Sequence, residues 1–427
     1  MACGSPSHLS SSDVVTAPDV LVVGACQAGV QLAASLREGG YDGCITLVGA
    51  EPHLPYQRPP LSKSYLAGDA TPDSLALRAT SWYDAQCIEL VLGERVVEVD
   101  LDDGRACTDA GRELPCERLA LTTGARVRRL AVPGAELRGV LYLRDLRHAD
   151  ELAAALPDAE HVVVVGGGFI GLEAAAVCRS KGKQVTVVEF ADRLMARAVA
   201  PVVSEFYKAA HERRGSTVLL GREVVAVEGE ERVRGVVLDD GTALPADLVL
   251  VGVGVHPRVE LAEQLGLVVE QGAVRVDEHA CTSDPRVVAA GDVALLPNPQ
   301  APEVLVRLES VQNAVDQAKT AAASLLGRPM PYRALPWFWS DQGGIKLQIA
   351  GLSQGWQEAV VRGRFEDEAF SVLYLRDDHL LAVDAVNRAG DYMAVRRALS
   401  RGRVPMSAEV AGDESRPLKE LLAAAPA

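Results

Sequence analysis

Two glycine-rich runs carry the first chemistry that can be read from this chain: Gly24-Ala25-Cys26-Gln27-Ala28-Gly29 and Gly166-Gly167-Gly168-Phe169-Ile170-Gly171. Glycines at the first, third and sixth places of such a run serve a tight turn, a close approach of bare backbone to a pyrophosphate, and close packing of helix on strand. Free N–H groups and the positive dipole end at the start of the following helix then favour phosphate. In the second run Gly166, Gly168 and Gly171 fill all three places. Glu189 follows at the end of the next apolar stretch, where a carboxylate accepts the adenosine ribose hydroxyls and repels a 2′-phosphate. That spacing points to NADH in preference to NADPH, a choice softened by Arg193 and Arg197 just beyond. In the first run Gly24 and Gly29 are kept, but Cys26 stands in the middle place. Two dinucleotides bound by one chain point to a flavin and a nicotinamide, because a hydride passes directly between their rings.

The context of each run is a strand, a turn, a helix and a second strand, and this context identifies a dinucleotide-binding unit where glycines alone do not. In the first unit the strand DVLVVG starts at Asp19, a helix runs to about Glu38 with Gly39 and Gly40 as its cap, and the strand CITLVG covers Cys44–Gly49. In the second, HVVVV (His161–Val165) leads through the turn to a helix ending near Lys181, Gly182 caps it, and QVTVVE ends at Glu189. Residues 40–65 are punctuated by prolines and predict a loop over the first sheet. The apolar stretches ERLALTT and DLVLVGV end at Thr123-Gly124-Ala125 and Gly252-Val253-Gly254, where the chain is expected to cross between domains. Alternation in PWFWSD predicts a strand with one buried face.

With 427 residues and 48% hydrophobic content, the chain can bury two or three domain cores. Its net charge of −15 is spread along the sequence, which argues against nucleic-acid affinity built on basic patches. No apolar run reaches the roughly 18 residues of a membrane span. Residues 1–17 lack a signal peptide's basic start and apolar centre and are expected to be a disordered tail. The eight cysteines include no Cys-x-x-Cys pair, which disfavours a redox disulfide of neighbouring cysteines, a zinc site or a protein-borne cluster and suits a cytoplasmic protein. Near the C-terminus Arg388, Arg396, Arg397, Arg401 and Arg403 are opposed only by Asp391. Such a run is either a solvated helix face or a docking surface for an acidic redox protein.

Further landmarks are Pro55–Lys63 (PYQRPPLSK), Leu121–Ala125 (LTTGA), Thr282–Pro285 (TSDP) leading to Ala290-Gly291-Asp292, Arg307–Ala314 (RLESVQNA), Pro336–Gln342 (PWFWSDQ) and Ala382–Asn387 (AVDAVN). In combination they make the chain, from about Val20 to about Leu422, resemble the ferredoxin reductases of bacterial oxygenase systems, of the putidaredoxin reductase and aromatic-ring dioxygenase reductase type. The resemblance implies an α/β fold of two Rossmann-like domains plus a smaller α+β C-terminal domain. An FAD domain of two pieces (18–122 and 248–328) would enclose an NAD domain (123–247), with a C-terminal domain (329–427) covering the flavin. It implies FAD and NADH as cofactors and a 2Fe–2S ferredoxin as partner, which in turn serves a monooxygenase or ring-hydroxylating dioxygenase. Lys63 and Glu173 would be the catalytic pair beside the flavin and nicotinamide rings. Asp292 would face the ribityl chain, the helix 309–324 with Val311 at its start would point at the flavin pyrimidine, and Trp337 and Trp339 would lie against the isoalloxazine. Glu51, Arg58, Thr123 and Gly124 would also hold FAD, while Ile170, Arg197 and Gly252 would border the nicotinamide dinucleotide.

Each of these residues also has an ordinary structural role. Glu173, two residues after the last glycine, suits the first turn of a helix, Lys63 a solvated loop, Asp292 an Asx-turn, and the tryptophans an aromatic core. Two positions depart from the family: Cys26 in the middle of the first turn, and Ala50 where relatives carry an acid for the adenosine ribose, with Glu51 one residue late. Both predict looser flavin binding. The leading function is an NADH:ferredoxin reductase; a rubredoxin reductase, an NADH oxidase and a flavin-poor nicotinamide-binding redox sensor are the alternatives.

Overall fold

A computed structural model describes residues 18–424, so the tail expected over residues 1–17 lies outside the described residues. The first glycine turn grows out of a five-stranded sheet ordered Val287–Ala289, Arg118–Leu121, Val20–Val23, Ile45–Gly49, Ile88–Leu92, with every adjacent pair parallel. Val20–Val23 is buried throughout, as expected of a parallel strand covered on both faces. On one face the helices Gln27–Glu38 and Val311–Leu325 pack through Leu32, Leu36, Ala318 and Ala321. On the other lie the antiparallel strands Val96–Asp100, Arg105–Thr108 and Glu113–Pro115.

The second turn repeats this plan. Its sheet runs Thr217–Leu220, Gln184–Glu189, His161–Val165, Leu248–Val251, Val140–Tyr142, again all parallel. The helix Phe169–Ser180 follows the turn, and Gly182 (φ +80°) lets the chain leave it in a left-handed conformation. Leu248–Val251, assigned from sequence to the second piece of the flavin domain, is instead a buried strand beside His161–Val165. Four consecutive apolar residues suit the middle of a parallel sheet. The chain crosses back only after them, where Val255–Pro257 pairs antiparallel with Ala125–Val127.

The remaining chain forms an antiparallel sheet ordered Trp337–Gln342, Ile345–Gly351, His379–Val386, Ala369–Arg376, Glu358–Arg364. One face is covered by the helix Ala389–Leu399 and the helix Leu418–Ala424 through Tyr392, Val395, Leu399 and Leu421. The other packs Ile345, Leu347, Phe370 and Tyr374 on the second unit, around Phe206 and Tyr207 of the helix Pro201–Arg213. Among the described residues no helix is long and apolar enough to cross a membrane.

Candidate dinucleotide and redox site

Both turns need their outer glycines for the same steric reason. Gly24 (φ +119°) and Gly166 (φ +109°) sit so close to the next strand end that a Cβ would lie 2.2 Å from the Thr122 carbonyl oxygen or 2.4 Å from that of Gly252. A Cβ on Gly29 or Gly171 would collide with the first glycine's own carbonyl oxygen, at 2.2 and 2.4 Å. The middle places differ. At Gly168 a Cβ would meet nothing within 4 Å, so open space lies before the N-terminus of Phe169–Ser180, which suits a pyrophosphate. Cys26 occupies the matching place with φ −137°, an extended conformation open to any residue. Its thiol folds back to donate to the Thr122 carbonyl at 3.2 Å. The side chain that predicts looser flavin binding thus has its thiol tied to the neighbouring strand end.

At the second unit Glu189 ends its strand beside the turn, accepting from Gly167 N and, at 2.8 Å, from Ala191 N. Arg193 is spent inside the protein on the carbonyls of Val199 and Ala196 and on Ser204. Arg197 is exposed, Ile170 is exposed at the helix start, and Gly252 donates to Val165 O at 2.7 Å. At the first unit Ala50 is exposed, and Glu51 accepts from Arg58 and from the Tyr56 hydroxyl, both at 2.6 Å.

Thr123 and Gly124 stand where the chain crosses between units: Thr123 Oγ1 donates to Arg258 O at 2.8 Å and Arg258 N to Gly124 O at 2.9 Å. Asp292 follows Gly291 (φ +84°), whose N–H is held by Gln317, and pairs with Arg144 at 2.9 Å. Arg58 donates to the Arg144 carbonyl at 2.7 Å. Burial first, and then the charges of Arg95, Arg126, Arg144 and Arg58, push the Arg258 guanidinium below its ordinary value. Arg58, Arg126 and Arg144 are paired with Glu51, Glu260 and Asp292, whereas Arg258 makes no ion pair among the described residues, and an anion such as a pyrophosphate suits it. Val311 opens a 15-residue helix capped by Ser310, whose side chain accepts from Asn313 N.

Lys63 and Glu173 come from different units, and the structure brings Nζ and Oε2 to 2.6 Å. Glu173 is the fifth residue of Phe169–Ser180, beyond the first turn where the sequence had placed it, and faces inward at 3% exposure. Ser62 donates to the same Oε2 at 2.5 Å, and Ser340, from the C-terminal sheet, to Oε1 at 2.6 Å. Sequence reasoning missed Ser340, Arg144 and Gln317, which lie far along the chain from their partners. Trp337 and Trp339 are half-buried and 5.6 Å apart on one face of their strand, while the buried residues of that strand are Ser340 and Gln342.

The C-terminal arginines do not form one helix face. Ala389–Leu399 carries only Arg396 and Arg397. Arg388 is held by Asp391 at 3.0 Å, and Arg396 lies 4.5 Å over the Trp337 ring. Arg397, Arg401 and Arg403 are exposed.

Residues 18–318 match the family model for pyridine nucleotide-disulphide oxidoreductases, and 337–422 match that of the reductase C-terminal domain. Rhodocoxin reductase of Rhodococcus erythropolis is 45% identical over 95% of this chain and 94% of its own. Putidaredoxin reductase of Pseudomonas putida is 42% identical over 96% of this chain and 98% of its own. Among solved structures, a ferredoxin reductase from Rhodopseudomonas palustris superposes with a TM-score of 0.91 at 44% identity, covering 94% of this chain and 99% of that one. A covalent putidaredoxin reductase–putidaredoxin complex also gives 0.91, at 41% identity over 96% and 99%.

Proposed function

The chain belongs to the pyridine nucleotide-disulphide oxidoreductase family, and we propose that it is an FAD-dependent NADH:ferredoxin reductase whose 2Fe–2S partner serves a monooxygenase or ring-hydroxylating dioxygenase. The observation that carries this reading is the Lys63–Glu173 ion pair, drawn from the two dinucleotide units and held where they meet. FAD, when bound, accepts two electrons as a hydride and releases them singly to a one-electron carrier. The sequence has no Cys-x-x-Cys, so the chain offers no disulfide of neighbouring cysteines to take those electrons on, which favours an outside carrier. All described cysteines are free, in keeping with a cytoplasmic protein.

FAD would be held by the turn Gly24–Cys26–Gly29, by Glu51 and Arg58, by Thr123 and Gly124 at the crossing, by Asp292 and by Trp339. The helix opening at Val311 offers its positive end to negative charge without any acid–base step. NADH would be held by Gly166, Gly168, Ile170 and Gly171, with Glu189 as the acceptor for ribose hydroxyls and Gly252 and Arg197 as further binding residues. Glu173 fixes the Lys63 ammonium and balances its charge, and neither residue forms a covalent bond. The test is an absorption spectrum of the purified protein followed by NADH-driven cytochrome c reduction. A flavin spectrum and a rate dependent on added 2Fe–2S ferredoxin are expected. Faster turnover with rubredoxin or oxygen would assign another acceptor, and protein that cannot be loaded with FAD would leave a nicotinamide sensor.

A further inference from the structure

We infer that Ser340 is a positioning residue for Glu173, oriented in turn by Gln342 and His211; this rests on the reading of Glu173 given above and deepens it. Glu173 is nearly buried and Ser340 fully so. Oε2 of Glu173 has two donors, Ser62 and Lys63, while Oε1 takes the Ser340 hydroxyl at 2.6 Å. A serine hydroxyl turns freely, so the direction of its proton depends on what else faces the oxygen. Here Gln342 Nε2 donates to Ser340 Oγ at 3.2 Å, which leaves the Glu173 carboxylate to receive the hydroxyl proton. A reversed amide would present its oxygen instead and draw that proton away.

His211 fixes the amide. Its Nε2 lies 2.9 Å from Gln342 Oε1, so with the amide nitrogen toward Ser340 the imidazole must donate from Nε2. Burial pushes the His211 imidazole below its ordinary value, which keeps the ring neutral and makes its tautomer the deciding feature. From His211 through Gln342 and Ser340 to Glu173 every donor points the same way, and hydrogen bonds in such a line polarise one another. The strand supplies the spacing: Phe338, Ser340 and Gln342 share one face by the period of two, and Phe338 packs on Phe169 of the Glu173 helix at 4.6 Å. The C-terminal sheet thereby sets a carboxylate that belongs to another domain.

The experiment uses the full-length, FAD-loaded protein in anaerobic stopped flow with NADH. Ser340→Ala should slow the limiting rate of flavin reduction about tenfold, the scale of one hydrogen bond to a charged group, with the apparent Kd for NADH within about twofold. Ser340→Thr, which keeps the hydroxyl, should stay within about threefold of wild type. Gln342→Met should slow reduction several-fold and add nothing to Ser340→Ala; it carries the same test if Ser340→Ala fails to fold. Glu173→Gln alone should slow reduction, and the double variant with Ser340→Ala should be no slower than Glu173→Gln. Independently of turnover, nitrogen-15 NMR of histidine-labelled protein should show an exchange-protected His211 Nε2–H that Gln342→Met abolishes. Wild-type rates in Ser340→Ala beside a slow Glu173→Gln, effects that multiply in the double variant, or a His211 Nε2 without a proton would each overturn the inference. A Glu173→Gln that reduces at the wild-type rate would instead remove the reading on which it rests.

Discussion

The Lys63–Glu173 pair should be asymmetric when broken. Lys63 keeps 22% of its side chain exposed and Glu173 only 3%, so the two partners face different alternatives. Lys63→Met leaves a carboxylate in the interior with two hydroxyl donors, from Ser62 and Ser340, and no counter-charge. Removing one partner of a buried pair costs about 3–5 kcal/mol. The two remaining hydroxyls and the partial exposure of Lys63 lower this to about 2–3 kcal/mol. Glu173→Gln leaves a lysine that can turn to water and a neutral amide of the same shape, at a cost of about 1 kcal/mol. At about 2–4 °C per kcal/mol for a domain of this size, Lys63→Met should lower the melting midpoint by about 4–12 °C and Glu173→Gln by about 2–4 °C. Heating rate and FAD concentration must be held fixed, because bound ligand raises the apparent midpoint. Both variants should also reduce flavin slowly in stopped flow with NADH. A larger loss of stability in Glu173→Gln would refute the burial argument, and wild-type reduction rates in both would refute the functional one.

NADH should give a higher kcat/KM than NADPH, because Glu189 repels a 2′-phosphate and Arg193 is committed to Val199, Ala196 and Ser204; the opposite ratio in steady-state kinetics would sink this assignment. Replacing Arg397, Arg401 and Arg403 with Gln should raise the KM for ferredoxin at low salt while ferricyanide reduction is unchanged, since exposed charges act over a Debye length of about 10 Å at 0.1 M. Equal loss with both acceptors would point to damage at the flavin instead. In FAD titrations of apoprotein, Ala50→Glu should tighten binding, whereas Cys26→Gly should change it less than about threefold because the thiol is already folded onto Thr122; a tenfold gain from Cys26→Gly alone would contradict that geometry. Burial, opposed by a hydrogen bond from Tyr374, pushes the Asp384 carboxyl up to about 7. The folded state then holds this proton more tightly than the unfolded chain, so its contribution to stability falls as pH rises from about 4 to about 7 and levels beyond. Asp384→Asn should flatten that slope and raise the unfolding midpoint at pH 8, and an unchanged slope would count against it.

What the sequence made legible was local. A glycine that must be left-handed against a strand end, as at Gly24 and Gly166, is written into a few consecutive residues, and so is the run of apolar residues in a parallel strand. The double unit and the strand–turn–helix boundaries could therefore be read within a residue or two. The strand Leu248–Val251 was misassigned because the same four apolar residues suit either sheet, and only its pairing with His161–Val165 decides. The contacts that complete the site were invisible for another reason. Ser340 and Glu173 are 167 positions apart, Arg144 and Asp292 148, and neither pair has a periodicity to announce it. Of the strand Trp337–Gln342 the sequence offered its tryptophans as the conspicuous feature, yet its fully buried residues are the polar Ser340 and Gln342, of which Ser340 faces a carboxylate.

That polarity bears on how three segments come to share one site. A buried carboxylate is costly unless its oxygens are filled, and Glu173 has its donors from the loop of the first unit, at the short 3-10 turn Pro59–Ser62 and Lys63 after it, and from the C-terminal sheet, with none from its own helix. Its helix, meanwhile, is the one whose N-terminus opens onto the second glycine turn. A shift of that helix relative to the loop would break the Lys63 and Ser62 contacts, and a shift relative to the sheet would break the Ser340 contact. Either shift exposes an unfilled charge in the interior, so the geometry between the two dinucleotide turns is held from both sides by the cost of leaving one carboxylate unsatisfied. The C-terminal sheet thereby closes the hydrogen-bond set of a carboxylate that lies on the helix of the second glycine turn.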